Sequence, residues 1–346
     1  MVNFAIVGCG HIAKKHAEAI EKAENAKLVA VCDKIPESMQ YYKEKYDVQT
    51  FTELDDMLHE DNNIDVINIC TPSGFHANIA IQAANAKKHI VVEKPISLTL
   101  EDADAIISSC RENGVKLTVV HPNRFRPAIK ELRELMDSGK LGKLSHADAT
   151  VRWNRNQAYY DQAPWRGTKN LDGGVLMNQA IHNLDLLVWL MGDLDEVYSM
   201  SATRLRNIEA EDVSVGVAKF KNGALGIIEA ATTIYPKNLE ESISIFGETG
   251  SVKIGGVTAS FVEHLDIESM DKEEIDQIIE RVKADPLGKP GHQCIIEDIV
   301  EAIKTNRDPI VSGEDGKKAL ELVIKLYDSA DTNKPVSFEK NVGVNS

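Results

Sequence analysis

The sequence predicts an α/β chain in two parts: a doubly wound parallel sheet, followed by an α+β domain built on a large, mainly antiparallel open sheet. Three observations predict it. Through about residue 120, short β-branched runs alternate with helical stretches; a glycine-rich turn directly follows the first run; and from Leu144 onward the texture changes to strands joined by turns. At 346 residues the chain exceeds the size at which one hydrophobic core stops growing, so two domains are expected, over 1–122 and 123–346.

In chain order, FAIVGCG reads as a strand, followed by a helix from about Ile12, the strand LVAVCD, a helix near Pro36 to Tyr46, the strand VINICT, a helix from about His76 and the strand HIVVEKP. Strands that are apolar almost throughout are those buried on both faces of a parallel sheet, and the helices between them supply right-handed crossovers. Glu101 to Asn113 is a further helix ended by Gly114, and VKLTVVH is a strand leading to HPNRF, where the first domain closes. Beyond it, SHADATVRWN, VYSMSATRL, DVSVGVAKF and ALGIIEAATTI read as strands, with a turn at Lys221-Asn222-Gly223. One helix interrupts them, from about Val175 to Met191, with Gly192 as its C-terminal cap. Two tail helices, about His292 to Lys304 and Gly316 to Ala330, are expected to pack on the second sheet, and the residues after about Phe338 to fray.

The net charge of −15 disfavours nucleic acid and anionic membranes as partners, since both are negative. MVNFAIVGCGHIAKKH lacks the features of a signal peptide, and no run of about 18 apolar residues reads as a membrane span. Five cysteines, at 9, 32, 70, 110 and 294, are scattered without a C-x-x-C pair, so neither a disulfide framework nor a zinc site is expected. A cytoplasmic location and no metal follow as expectations.

Gly8-Cys9-Gly10-His11-Ile12-Ala13 sits between a strand and a helix, the context that gives a G-x-G-x-x-A string its meaning. Gly8 permits the tight turn and Gly10 leaves room for a pyrophosphate, while the helix opened by His11 and Ile12 offers unpaired N–H groups and a positive dipole end. Asp33 follows Ala13 by 20 residues and can accept hydrogen bonds from an adenosine ribose. A 2′-phosphate would meet a like charge there, which favours NAD over NADP, although Lys34 leaves dual use open.

Lys94 ends a buried strand, where ligands of doubly wound sheets bind; its ammonium could hold a substrate hydroxyl and stabilise alkoxide character, the alternative being a solvated surface lysine. Asn178 and His182 stand four residues apart, on one face of the expected helix. His182 suits proton abstraction from a secondary alcohol near neutral pH and Asn178 suits positioning of the hydroxyl; the competing reading is a structural helix histidine. Asp185 either orients the imidazole or caps a solvated face. Upstream, Arg152, Arg155, Tyr159, Tyr160, Trp165 and Arg166 form a basic and aromatic cluster fitted to an anionic ligand, or to surface salt bridges.

AIVGCGHIAKKH, CTPSGFHANIAIQA, VVEKPISLT, HPNRFRPA, WRGT and LDGGVLMNQAIHNLDLLVWLMG, in this order, resemble the Gfo/Idh/MocA oxidoreductases over essentially the whole chain. The resemblance implies a Rossmann domain that binds NAD, a second domain whose open sheet supports a homo-oligomer, with a tetramer favoured, and sugar, polyol or nucleotide-sugar substrates. It implies that Lys94 is the family's catalytic lysine and His182 its helix histidine, and that Thr71, Pro72, His76, Glu93 and Asn123 line the cofactor, with Trp165 and Arg166 added to that set. Asn178 departs from the aspartate that many members carry. NRNQAYYDQAPWRGT and MNQAIHNLDLL resemble the subgroup that oxidises the C3 hydroxyl of UDP-N-acetylglucosaminuronic acid, in the assembly of bacterial surface polysaccharides such as O-antigen. On that reading Lys94, Arg155, Tyr160, Arg166, Asn178, Gln179 and His182 contact an anionic nucleotide sugar. A free sugar, polyol or inositol dehydrogenase, and a non-catalytic NAD-binding regulator, are the alternatives; recycling of bound NADH by 2-oxoglutarate is left open.

Overall fold

A computed structural model describes residues 1–59 and 63–338. The expected fraying of the last residues lies outside the described residues. Two compact units emerge, and they are not contiguous in sequence. One comprises Met1–Phe125, Asn170–Asp172 and Gly288–Leu320; the other comprises Arg126–Lys169, Gly173–Leu287 and the chain from Glu321. Where the sequence suggested one cut after residue 122, the chain returns to the first unit in its tail.

The first unit opens with β1 (Val2–Val7), α1 (His11–Lys22), β2 (Ala26–Cys32), α2 (Pro36–Tyr46), β3 (Gln49–Phe51), α3 (Leu54–His59) and β4 (Val66–Ile69). It continues with α4 (His76–Asn85), β5 (His89–Val92), α5 (Leu100–Asn113) and β6 (Leu117–Val119). The six strands are parallel, in the order β3-β2-β1-β4-β5-β6. This is the doubly wound arrangement, and its strand order reverses between β1 and β4, where such sheets bind ligands beyond their carboxyl ends. Phe4, Ile6, Ile67, Ile69 and Ile90 are fully buried between the helical layers, each contributing about 1.5–3 kcal/mol. Thr99 caps α5 by accepting the Asp102 N–H, and Gly114 ends it at φ +67°. The sequence reading missed β3 and α3, a three-residue strand and a six-residue helix too short for periodicity to register.

The second unit contains α6 (Pro127–Asp137), β7 (Leu144–Arg152), α7 (Gln157–Tyr160), a helix over 175–191, β8 (Leu194–Ala202), β9 (Val213–Phe220) and β10 (Leu225–Ala231). After it come β11 (Glu240–Gly247), β12 (Gly250–Gly255), β13 (Phe261–Ile267) and α9 (Lys272–Ala284), the 175–191 helix being numbered α8 from Ile181 to Met191. The tail adds α10 (Gly291–Thr305), α11 (Gly313–Thr332) and β14 (Val336–Ser337). The eight strands run β13-β12-β11-β7-β10-β9-β8-β14 and are antiparallel except for the β7–β10 pair. Their sheet is therefore the large, mainly antiparallel one expected, although the sequence reading saw only four of its strands.

Two expectations need correction. The 175–191 helix is not uniform: Val175–Ala180 form a π-helical turn, and α-helical geometry begins only at Ile181. The tail helix α10 packs on α1 of the first unit, not on the second sheet. Its start is fixed by a close approach, because a Cβ on Gly291 would lie 2.6 Å from the Pro122 carbonyl oxygen.

Candidate active site

In the first unit, the glycine loop is shaped by two different requirements. Gly8 has φ +89°, and a Cβ there would stand 2.7 Å from the Thr71 nitrogen and 2.8 Å from the Cys70 carbonyl carbon. Gly10, by contrast, would direct a Cβ into open space. One glycine is demanded by the fold, while the other leaves room beside the start of α1, where His11 is exposed and Ile12 half-buried. Asp33 anchors the loop by accepting N–H bonds from Cys9 at 2.7 Å and Ile35 at 2.8 Å. Each carboxylate oxygen has a second lone pair left for a ribose hydroxyl. The exposed Lys34 ammonium is paired with Glu53.

Thr71 and Pro72 follow β4, and the Thr71 hydroxyl is buried without a protein partner. A buried hydroxyl in that state is costly unless a ligand or water meets it. His76 is fully buried, its Nδ1 2.9 Å from the Pro95 carbonyl and its Nε2 3.0 Å from the Thr71 carbonyl. Burial holds its pKa down despite both carbonyls, so the neutral ring donates to one at a time and ties the loops after β4 and β5 together. The open space at Gly10, the Asp33 lone pairs and the Thr71 hydroxyl all fit a dinucleotide laid across the strand ends.

Glu93 and Lys94 follow β5. Glu93 is 6% exposed; its Oε1 lies 2.9 Å from His16 Nε2 and 3.5 Å from His292 Nε2, and its Oε2 accepts the Lys94 N–H at 3.2 Å. The two imidazoles hold its carboxyl well below the usual range against the opposing effect of burial. Lys94 is half-buried and Asn123 buried. His16, Glu93 and His292 also form the one group, among the described residues, whose donor atoms are clustered as metal ligands would be, within 4.8 Å. No local spacing in the sequence shows it, because α1, the segment after β5 and α10 contribute one residue each.

In the second unit, Asn178 and His182 are half-exposed, whereas every other residue from Val175 to Val188 is buried. The pair thus shares one open stripe, with Asn178 in the π turn and His182 in the α-helical part. Single π turns are frequent at functional sites. Gln179 and Asp185 face inward, with Gln179 Oε1 buried and unpartnered. The helix entry is held by Glu211: its carbonyl accepts the Val175 N–H at 3.0 Å, and its Oε1 accepts the Leu176 N–H and the Tyr327 hydroxyl, both at 2.9 Å. Burial raises the Glu211 carboxyl to about 7.

The basic and aromatic cluster is stacked, except for Arg152, which is instead paired with Glu229 and Glu240 at 2.6 and 2.7 Å. Arg166 lies between Tyr159 and Trp165, 4.5 and 4.6 Å from their ring centroids, and donates from Nη1 to the Tyr159 hydroxyl at 2.7 Å. Arg155 lies 4.9 Å from the Trp153 centroid and 5.3 Å from that of Tyr159, and donates to the Asn154 carbonyl at 2.7 Å. Tyr160 is buried, its hydroxyl 3.2 Å from that of Thr232, and its ring lines the tight turn at Gly167. Arg206 braces the cluster from another loop by donating to the Arg155 carbonyl at 2.6 Å. Among these residues the sequence reading did not single out Trp153, Asn154, Arg206 or Thr232; it also missed His16, Asn68, His292, Glu211 and Tyr327, whose only signal was polarity within buried segments.

A doubly wound sheet with a glycine loop after its first strand and an acid after its second is the arrangement of a dinucleotide-binding protein. Residues 2–121 match the model of the oxidoreductase family with an NAD-binding Rossmann fold, and residues 129–253 that of the GFO/IDH/MocA C-terminal domain. The chain belongs to the Gfo/Idh/MocA family and is an NAD-dependent dehydrogenase. It is similar to the WlbA dehydrogenase of Bordetella pertussis, solved in complex with NADH and UDP-GlcNAcA: 35% identity, 98% of each chain covered, TM-score 0.94. It is also similar to the WlbA dehydrogenase of Chromobacterium violaceum, solved with the same two molecules: 36% identity, 98% and 96% covered, TM-score 0.92. The myo-inositol 2-dehydrogenase of Thermotoga maritima is 28% identical, over 99% of this chain and 100% of its own. No helix among the described residues is long and apolar enough to cross a membrane.

Proposed function

We propose that the chain oxidises the C3 hydroxyl of UDP-N-acetylglucosaminuronic acid to the 3-keto sugar, as a step in building bacterial surface polysaccharide. The observation that carries this reading is the Arg155–Tyr159–Arg166 stack, an anion-binding surface in a chain of net charge −15. Aromatic faces hold the two guanidiniums in plane, leaving N–H edges for a uronate or diphosphate. The likeness to two structures containing that nucleotide sugar supports the reading.

NAD, when bound, supplies the hydride-accepting nicotinamide. In the proposed reaction Lys94 holds the C3 hydroxyl and stabilises its developing alkoxide, while His182 accepts the proton and Asn178 orients the hydroxyl with its amide. An amide cannot relay a proton, so the histidine acts without a carboxylate at 178. Thr71, Pro72, Asn123 and Trp165 are assigned to the cofactor, and Gln179 and Tyr160 to shaping the sugar site. A single-turnover experiment tests the proposal: purified protein with stoichiometric NAD is mixed with this UDP-sugar and NADH absorbance is followed. Growth of the band supports it; none with the UDP-sugar, but growth with myo-inositol, moves the assignment to the second reading that the Thermotoga relative favours.

We further propose a homo-oligomer, with a tetramer favoured, formed through the outer face of the second sheet. Met200, Val215, Val217, Leu225 and Ile227 are each 49–57% exposed, and strand register sets Ile227 beside Val217 and Val215 beside Met200. A contiguous apolar face of this kind marks an interface. Light scattering on wild type and Val217→Lys would show it as a loss of assembly in the variant.

A further inference from the structure

Beside Lys94 lies a polar group that the proposed reaction does not use. The Glu93 carboxylate only accepts hydrogen bonds, so the His16 Nε2 facing it at 2.9 Å must carry the proton. With that proton on Nε2, Nδ1 is left as an acceptor. Asn68 meets that need, its Nδ2 donating to Nδ1 at 2.8 Å. Asn68, His16 and Glu93 therefore form a chain with one consistent direction of donation, ending on a carboxylate. His292 approaches the same carboxylate oxygen at 3.5 Å, its ring edge-on to His16 with centroids 5.3 Å apart. The side chains of His16 and Glu93 are 2% and 9% exposed, and that of His292 is 18% exposed.

A buried negative charge is expensive and is kept only where its surroundings hold it. Its position suggests its use. Asp33, at the end of β2, lies on the adenosine side of the switch point, so a dinucleotide crossing the strand ends carries its nicotinamide towards β4 and β5, and Glu93 follows β5. The oxidised nicotinamide ring carries a positive charge and the reduced ring none. A fixed carboxylate on that side attracts one form and not the other.

We propose that Glu93, held by His16 and His292, is the counter-charge that favours oxidised over reduced cofactor and so sets how the chain divides its affinity between the two. His16 and His292 are positioning residues, with Asn68 selecting the His16 tautomer. The inference rests on NAD binding and not on the identity of the sugar, so the two proposals fail separately.

Fluorescence titrations of cofactor-free full-length protein with NAD and with NADH, without sugar, test it. Unit charges on the order of 10 Å apart in a protein-like dielectric of ~20 change an equilibrium by about tenfold. Glu93→Gln keeps the shape and removes the charge, and is expected to weaken NAD relative to NADH by about that factor. Glu93→Asp keeps the charge and is expected to leave the ratio near the wild-type value even if both affinities fall. His292→Lys places a permanent cation against an intact carboxylate and is expected to shift the ratio as Glu93→Gln does, which preserves the test if Glu93→Gln does not fold. Equal weakening of both forms in Glu93→Gln and in His292→Lys would overturn the proposal, since a purely structural role acts on both alike. So would one metal ion per chain in the purified protein, lost on His292→Lys, because the carboxylate would then face a cation rather than the nicotinamide.

Discussion

Under the proposed function, the two units would recognise their ligands by different means. In the first, recognition is built from backbone: a glycine turn, a helix start, strand ends and one acid that also braces the loop. In the second it is built from long side chains stacked on one another, Arg155 and Arg166 around Tyr159, braced by Arg206 from a distant loop. A backbone site tolerates almost no change of residue where it turns, and so leaves a motif. A stacked site can be reached from many sequences.

That contrast can be broken or sharpened experimentally. The largest effect is expected for Lys94→Ala, which should lower single-turnover oxidation by about 10²–10⁴-fold while leaving the NAD dissociation constant within a few-fold of wild type. Full turnover in that variant would remove Lys94 from the chemistry. Within the glycine loop, Gly8→Ala should cost about 2–5 kcal/mol, from strain at φ +89° plus a clash with the Thr71 backbone, visible as a fall in Tm. Gly10→Ala should leave Tm unchanged and weaken NAD binding, because its Cβ meets only space that the cofactor would fill. Equal effects on Tm would erase the distinction between the two glycines.

In the second unit, the Glu211 carboxyl is raised by burial from its ordinary value of 4.5 to about 7. Folding therefore favours its protonated form: this stabilisation is fully present below about pH 4.5 and is lost as pH rises through about 7. The full effect is on the order of 3 kcal/mol. Glu211→Gln should raise Tm at pH 8 and leave it nearly unchanged at pH 4; a parallel shift at both would show that its charge is not the cost. The smallest effect is expected for Arg166→Lys, which keeps the charge but loses the planar fork between Tyr159 and Trp165. KM for the UDP-sugar should rise about tenfold with the NAD affinity unaltered, a loss of roughly 1.4 kcal/mol of binding.

Legibility followed the same division. Gly8, Gly10 and Asp33 were readable because a strand, a turn and an acid at fixed spacing leave few alternatives, and α2 was predicted to the residue. β11, β12, β13 and α9 were not, since their burial is uneven and their order in the sheet depends on pairings far apart in the chain. The π turn at Val175–Ala180 escaped because an apolar run continues through it without a break. In α10, His292 carries no neighbour that hints at Glu93, almost 200 residues earlier.

By itself the sequence determined the two-part fold, the glycine turn between β1 and α1, and the placing of Asn178 and His182 on one stripe. Each follows from local periodicity or a fixed short spacing, which the chain must satisfy whatever surrounds it. Only the tertiary structure decided that α10 belongs to the first unit, that Glu211 and Tyr327 hold the entry of the 175–191 helix, and that His16, Asn68 and His292 converge on Glu93. Those are contacts between segments distant in the chain, made through side chains whose partners are chosen by packing.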